Sequence, residues 1–375
     1  MRLSIETGHR LKLGIFGPNC SSGLATTMVP ERWKADWDET VEMLQLADYR
    51  GIDFVLPVAR WKGYGGVTDF EGTNFETIDW ATGVLGSTER IHVFATVHAP
   101  LFHPVIAAKQ MVTADHVGHG RFALNIVAGW NEDEFAMFGI EQRGHTDRYD
   151  HAQEWIDAIR QMWVPLDDFD FNGKYFQLRG VRAKPKPYGG TMPFLVNAGR
   201  SPRGRAYAYH NCDGIFTGLR SSEFDEKTGI VTPDIATVSA DVEDIREHAK
   251  ELGRPFGIFT RAEIVCRPTQ REAFEYYMYA FEENADVACL AQDLALRNIL
   301  PENTPSDVYA AELRKRIRRF PVIGDPDRCA SLIAQIAETG FHALGISFIN
   351  YLTELPYFCD EVLPRLERLG WRNAG

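Results

Sequence analysis

Residues Gly120 to Glu134 read GRFALNIVAGWNEDE, a short apolar run that gives way to a loop holding Gly129, Trp130 and the acidic cluster Glu132, Asp133 and Glu134. Arg121 to Val127 suits a buried strand, because a strand covered on both faces reads as a nearly continuous apolar stretch. Asn125 interrupts that stretch with an amide, and a covered amide must find a hydrogen-bond partner in the protein or on a ligand. A buried amide followed by an indole and carboxylates suits binding of a polar, planar molecule.

Working outward from this stretch, the same short apolar run recurs at Leu11 to Gly17, Ile52 to Pro57 and His92 to Val97 before it. It recurs again at Pro193 to Asn197, Gly214 to Thr217, Gly257 to Cys266 and Ala343 to Phe348 after it. Amphipathic segments separate these runs. Ala152, Trp155, Ile156, Ile159, Met162 and Trp163 fall on one helical face, and such a stripe is core. Asp325 caps another helix, with Pro326 at its first position, apolar Cys329, Leu332, Ile333 and Ile336, and a stop at Gly340. Strands alternating with helices predict an α/β fold with a parallel sheet, and eight such strands predict one (β/α)8 TIM barrel spanning residues 1–375. Two stretches break the rhythm and are expected as insertions at the C-terminal face. Residues 164–188 read as a hairpin with a Pro-rich exit, and residues 285–320 as a mobile or lid-like segment.

Hydrophobic residues make up 45% and charged residues 25% of the 375, ordinary values for a globular chain with a sizeable core. The formal net charge of −12 argues against a general electrostatic grip on nucleic acid or anionic membrane. The one dense basic run is Arg314, Lys315, Arg316, Arg318 and Arg319, either a solvated helix face or a device that recruits an anionic substrate or closes a charged lid. Cysteines 20, 212, 266, 289, 329 and 359 are scattered without a CxxC pair and read as free thiols. With no signal-peptide layout and no apolar run of about 18 residues, a cytoplasmic location is expected.

In a barrel, polar residues at strand C-terminal ends converge on one mouth. Those residues are Ala59 and Arg60, Thr96 and His98, Asn125, and Asn197 with the AGRS that follows it. Gly199, Arg200 and Ser201 open a helix after a strand, so backbone N–H groups, a hydroxyl and the helix dipole can hold a phosphate there; a plain turn and cap is the alternative. GxGxxG and GxxxxGK[ST] are both absent, as are HExxH, HxH and GxSxG. No metal is therefore expected, and His116 and His119 read as helix-end residues. A phosphate-tailed organic cofactor suits such a mouth, and flavin mononucleotide fits.

The segments DFVLPVARWKGYGG, FATVHAP, AAKQMVTADHVGHGRFALNIVAGWNEDEF, DRYDHAQEWIDAIRQMW, FNGKYFQL, NAGRSPRGRAYA and FPVIGDPDRCASLI give the chain its resemblance to the bacterial luciferase-like flavin monooxygenases. It looks most like their pyrimidine oxygenase and dimethyl sulfone monooxygenase branch. The resemblance implies a two-component enzyme that takes reduced FMN from a separate NADH- or NADPH-dependent flavin reductase. With O2 it would oxidise a small organic substrate, cleaving a C–N or C–S bond. It places Ala59, Arg60, Asn125, Glu134, Arg148, Tyr149 and Ser201 at FMN, and Thr96 with Asn125 beside the flavin N5 edge as the catalytic pair. Arg261 matches a substrate-side Arg of the alkanesulfonate enzymes, but Glu263 stands where they have a His, and a carboxylate there would repel a sulfonate. His98 and Phe102 lie in a strand-three loop unlike that of the pyrimidine branch and are expected on the substrate side. A homo-oligomer, dimer or tetramer, is expected. Three alternatives remain: an alkanesulfonate or sulfone monooxygenase, a deazaflavin-dependent dehydrogenase, and a non-catalytic flavin-binding protein.

Overall fold

Eight parallel strands close on themselves in a computed structural model that describes residues 7–164, 167–219, 222–225, 231–317 and 321–373. They are β1 (Lys12–Phe16), β2 (Phe54–Leu56), β3 (His92–His98), β4 (Phe122–Val127), β5 (Phe194–Asn197), β6 (Gly214–Phe216), β7 (Gly257–Cys266) and β8 (Ala343–Ser347). Each pairs with the next, β8 pairs with β1, and a short parallel run of β7 against β6 and β8 completes the ring. The eight apolar runs of the sequence are these eight strands, so the (β/α)8 expectation holds.

The side-chain period of two along each strand divides the interior from the helix-facing wall. Along β3, Phe94, Thr96 and His98 alternate with Val93, Ala95 and Val97, which pack in the main core beneath the helices. The lower interior is an aromatic plug. Phe54 lies 5.8 Å from Phe94 and 5.9 Å from Phe259, and Phe94 lies 6.3 Å from Phe194, mostly edge to face. Gly14 makes room for it, since a Cβ there would come within 2.3 Å of the Phe54 ring. Above the plug the lining turns polar.

The two irregular stretches attach at opposite ends of the barrel. Phe169–Asn172 and Gln177–Val181 form an antiparallel hairpin, but it lies between the helix His145–Trp163 and β5. A connection from a helix to the next strand emerges at the strand's N-terminal end, so this insertion is rooted on the face opposite the one expected. It climbs the helix until Lys174 at its turn pairs with Asp147 in the helix's first turn. The other stretch follows β7 and does sit at the C-terminal face. Helices Val287–Ala295 and Ser306–Ile317 occupy it, and a strand Pro321–Gly324 pairs with the end of β7. Arg318 and Arg319 lie outside the described residues. All six cysteines are free and buried.

Because the plug is packed around a missing side chain, Gly14→Ala should destabilise the protein by about 1–3 kcal/mol, the usual cost of overpacking. Adding Phe54→Leu should recover part of that loss. Urea denaturation of the two single variants and the double variant measures the coupling.

Candidate active site

A cavity of about 710 Å³ opens above the plug at the C-terminal ends of the strands. Its floor is Phe16, Leu56 and Phe216, with Phe16 stacked on Phe216 at 5.4 Å. Thr96 and Asn125 stand just above it, directly paired in register across β3 and β4. Asn125 Nδ2 donates to Thr96 Oγ1 at 3.3 Å, and Thr96 Oγ1 donates to the Pro57 carbonyl at 2.7 Å. This chain fixes the amide's orientation. It leaves Asn125 Oδ1 as a buried acceptor without a hydrogen-bond partner among the described residues.

Arg60, at the end of β2, is held on three sides. Its Nε donates to Glu71 at 2.9 Å, Nη1 to Glu134 at 3.1 Å, and Nη2 to the Tyr64 hydroxyl at 2.9 Å. Burial works against its charge, but Glu71, Tyr64 and Glu134 more than offset it and hold the guanidinium above its ordinary value. Glu134 also accepts from the Trp61 N–H at 2.9 Å. It lies behind Arg60 instead of on the cavity wall, so its part is to anchor that side chain. His98 sits beside this network with Nδ1 3.9 Å from Glu134 Oε2, and burial, then Arg60, push it down to about 3. It is neutral and lines the cavity.

Across the cavity, Ser201 caps the helix Pro202–Asn211, accepting from Gly204 N at 3.1 Å. Its hydroxyl also meets His145 Nε2 at 3.1 Å, and the Tyr149 ring lies 5.3 Å from that imidazole. Glycine is required at 199, where a Cβ would fall 2.6 Å from the Tyr149 hydroxyl and 2.7 Å from Asn197 Oδ1. Arg148 reaches from the helix His145–Trp163 to the Gly129 carbonyl, while its Nε is buried without a hydrogen-bond partner among the described residues. Arg200 lies against Gly218 on the same wall. A helix N-terminus, a hydroxyl, a glycine backbone and an unsatisfied guanidinium nitrogen fit a phosphate. With the unsatisfied acceptor of Asn125 near the floor, the donor set fits a molecule that is planar at one end and phosphorylated at the other.

Arg261 projects inward from β7, its guanidinium 5.6 Å from the Phe16 ring centre. Phe102 does not reach the main cavity and lines a small neighbouring one, because the turn after β3 carries it outward onto the core around Trp155, whose indole donates to its carbonyl. The sequence reading therefore brought together Ala59, Arg60, Thr96, His98, Asn125, Arg148, Tyr149, Gly199, Arg200, Ser201 and Arg261, with Glu134 one layer behind and Phe102 to the side.

Other polar wall residues escaped that reading. His145 was legible as the residue one helical turn before Arg148 and Tyr149. Asp293 and Arg297 come from the insertion after β7, where their i,i+4 spacing gave the local signal. They are joined on the wall by Lys315 and Arg316 of the basic run that the sequence offered as a recruiter of an anionic substrate or a charged lid. Arg316 joins Asp293 at 2.5 Å, and Arg297 stacks at 5.0 Å on Trp130, whose ring also faces Arg60 at 5.4 Å. The Asp286 carboxylate accepts from Thr68 N at 2.7 Å and Thr68 Oγ1 at 2.8 Å, docking the insertion onto the loop after β2.

The profile of the luciferase-like monooxygenases matches residues 11–343. An FMNH2-dependent dimethylsulfone monooxygenase of Pseudomonas putida is 26% identical over 96% of both chains. A pyrimidine monooxygenase, RutA, of Acinetobacter baylyi is 24% identical over 94% of both. Among solved structures, DmoA from Hyphomicrobium sulfonivorans superposes with a TM-score of 0.82 at 18% identity, covering 96% of this chain and 89% of that one. A riboflavin lyase, RcaE, solved with modified FMN and riboflavin, superposes with a TM-score of 0.83 at 22% identity, covering 98% and 93%. At these identities the structural matches speak for the barrel itself.

Burial of neutral His98 makes stability depend on pH with a definite sign. At pH above the ordinary value of 6.5 neither state carries the proton; as pH falls toward about 3, only the unfolded chain takes it up, so stability is lost. His98→Asn should flatten the stability profile in that window by up to about 1.4 kcal/mol per pH unit. Denaturation midpoints of both proteins across the window measure it.

Proposed function

This chain belongs to the luciferase-like monooxygenase family, and on that premise we propose that it is an FMN-dependent, two-component monooxygenase. Reduced FMN from a separate reductase and O2 would be its co-substrates. The oxygenation would cleave a C–N or C–S bond of a small organic molecule, in the manner of a pyrimidine oxygenase. The observation that carries this reading is the buried, partnerless Asn125 Oδ1 above the aromatic floor, which awaits a donor such as the N5–H of reduced flavin. When bound, the flavin supplies two electrons to dioxygen, one oxygen atom entering the substrate and the other leaving as water.

The protein's own residues would then do three things. Ser201, Gly199, Arg148 and Arg200 hold the phosphate, with His145 setting the orientation of the serine hydroxyl and Tyr149 packed beside the imidazole. Asn125, oriented by Thr96, presents its Oδ1 acceptor at the reacting edge, and the second N–H of its Nδ2 is a fixed donor for developing negative charge. Arg60, fixed by Glu71 and Glu134, closes the wall beside them, and the insertion carrying Arg297 and Arg316 limits access of bulk water.

The substrate would lie on the remaining side, between the Phe16 and Phe216 floor, His98 and Arg261. Glu263, two residues along β7 from Arg261, is buried and acidic but outside the cavity lining, so any preference for a neutral heterocycle or sulfone over an alkanesulfonate rests on its charge at longer range. Oxygen uptake driven by a flavin reductase, scanned over uracil, simple sulfones and alkanesulfonates, tests this. A spectrum of the bound cofactor separates it from a deazaflavin enzyme, and stoichiometric flavin binding without turnover would mark a non-catalytic protein.

The phosphate cradle yields a sharper expectation. Arg148→Met should weaken reduced FMN by about tenfold or more, the loss of one charge-assisted bond, and leave reduced riboflavin nearly unaffected. Anaerobic titrations with both ligands measure it; equal losses for the two would remove Arg148 from the phosphate.

A further inference from the structure

Beside Thr96 lies a second, partly open pocket of about 30 Å³, room for a single water, lined by the segments that follow β2 and β3. Ala59, Arg60 and Thr96 line both this cavity and the main one, so Thr96 stands in the wall between them. Trp61 and Phe102 add apolar rings to its lining. Glu76 is the carboxylic acid on its lining, and it is placed unusually. Its Oε2 caps the helix Thr77–Ser87, accepting from Ile78 N at 2.9 Å and Asp79 N at 2.8 Å. Its Oε1 is buried and has no hydrogen-bond partner among the described residues. Capping needs one oxygen only, and the helix cap explains nothing about the second.

We propose that Glu76 is a proton-relay residue, passing protons between bulk solvent and the reaction chamber through a water in this side cavity and the Thr96 hydroxyl. The inference rests on the monooxygenase reading of the main cavity. Glu76 is only partly buried, so its carboxyl can exchange with solvent, while Oε1 itself is buried and the residue lines the side cavity. In the forward direction the Oε1–H bond breaks, the proton passes to the cavity water, and that water gives a proton to the Thr96 oxygen. Thr96 gives up its own hydroxyl proton, turned from the Pro57 carbonyl toward the chamber, where reduction of dioxygen creates basic oxygen, and the proton received from the water takes over the bond to Pro57. The carboxylate left behind recovers its proton from solvent.

Electrostatics support the direction of transfer. Burial is the largest influence on Glu76 and raises it above the ordinary carboxylate value, despite the N–H groups of Ile78 and Asp79, and the Asp79 carboxylate raises it further. Arg60, the cation on the same cavity, is already paired with Glu71 and Glu134. Thr96 Oγ1 accepts from Asn125, and its second lone pair can take a donor from the water side.

Glu76→Gln keeps an oxygen for the cap but cannot carry a proton; Glu76→Asp keeps both the cap and the acid but withdraws it by one methylene. The expected results are unchanged thermal midpoints and unchanged binding of reduced FMN in both variants. In Glu76→Gln, reoxidation of the bound reduced FMN by O2, followed by stopped-flow absorbance, slows by about tenfold or more and loses the fall in rate toward high pH that deprotonation of Glu76 imposes. Glu76→Asp regains that pH dependence. Independently of any cofactor, infrared titration of the free protein should show a carboxyl band, lost in Glu76→Gln, that persists above the ordinary carboxylate range. A wild-type pH profile in Glu76→Gln, equal slowing with equal loss of stability in both variants, or a carboxyl that titrates normally would overturn the proposal. Failure of the wild-type protein to bind reduced FMN would instead contradict the monooxygenase reading and leave the infrared result to judge Glu76.

Discussion

Thr96 and Asn125 face each other across β3 and β4 at the height where the barrel interior changes from aromatic to polar. Their position follows from the strand period of two together with the parallel register. A shift of one residue in either strand would turn the polar side chain into the helix-facing core and bring an aliphatic one inward. The register is held from below by the aromatic plug, whose interlocking rings accept one packing. It is held at the side by the bond from Thr96 to Pro57, which ties β3 to the end of β2. The amide orientation of Asn125, and so the acceptor it offers the cavity, depends on that register.

Arg60 plays a corresponding part for the loops. It is buried, and a buried guanidinium demands partners, which Glu71, Glu134 and Tyr64 supply from the loops after β2 and β4. Glu71 makes its contact from a backbone φ of 58°, a conformation that costs a non-glycine residue about 1–2 kcal/mol and persists because the ion pair and packing hold it. Trp130, between Arg60 and Arg297, extends the same network to the insertion after β7. The wall of the cavity is thus one connected electrostatic structure on top of a barrel closed by apolar packing.

The strands were legible because each is a short apolar run between turn residues, and the topology followed from their alternation with helices. Asn125 stood out because an amide breaks such a run, and Ser201 because a serine before a proline starts a helix. What was not legible depended on side-chain reach. Glu134 looks like a ligand residue in sequence, but only the fold shows that Arg60 intercepts it. Phe102 follows a wall strand, yet the turn after β3 takes it outside. The hairpin at residues 169–181 was visible as a hairpin, but rooting it at the N-terminal face, from which its turn reaches Asp147, required knowing that it follows a helix. Asp293, Arg297 and Arg316 carried local signals, an i,i+4 pair and a basic run, but that they reach the cavity depends on long-range docking of the insertion, which no local pattern encodes.

The central claim is that the Thr96 and Asn125 pair offers a fixed acceptor to the reduced form of a flavin. Its most direct test is the ratio of dissociation constants for oxidised and reduced FMN, measured anaerobically in the wild-type protein and in Asn125→Leu. Wild type should prefer the reduced form, which carries an N5–H to donate. The variant should lose most of that preference while its affinity for oxidised FMN changes little. An unchanged ratio in Asn125→Leu would contradict the account.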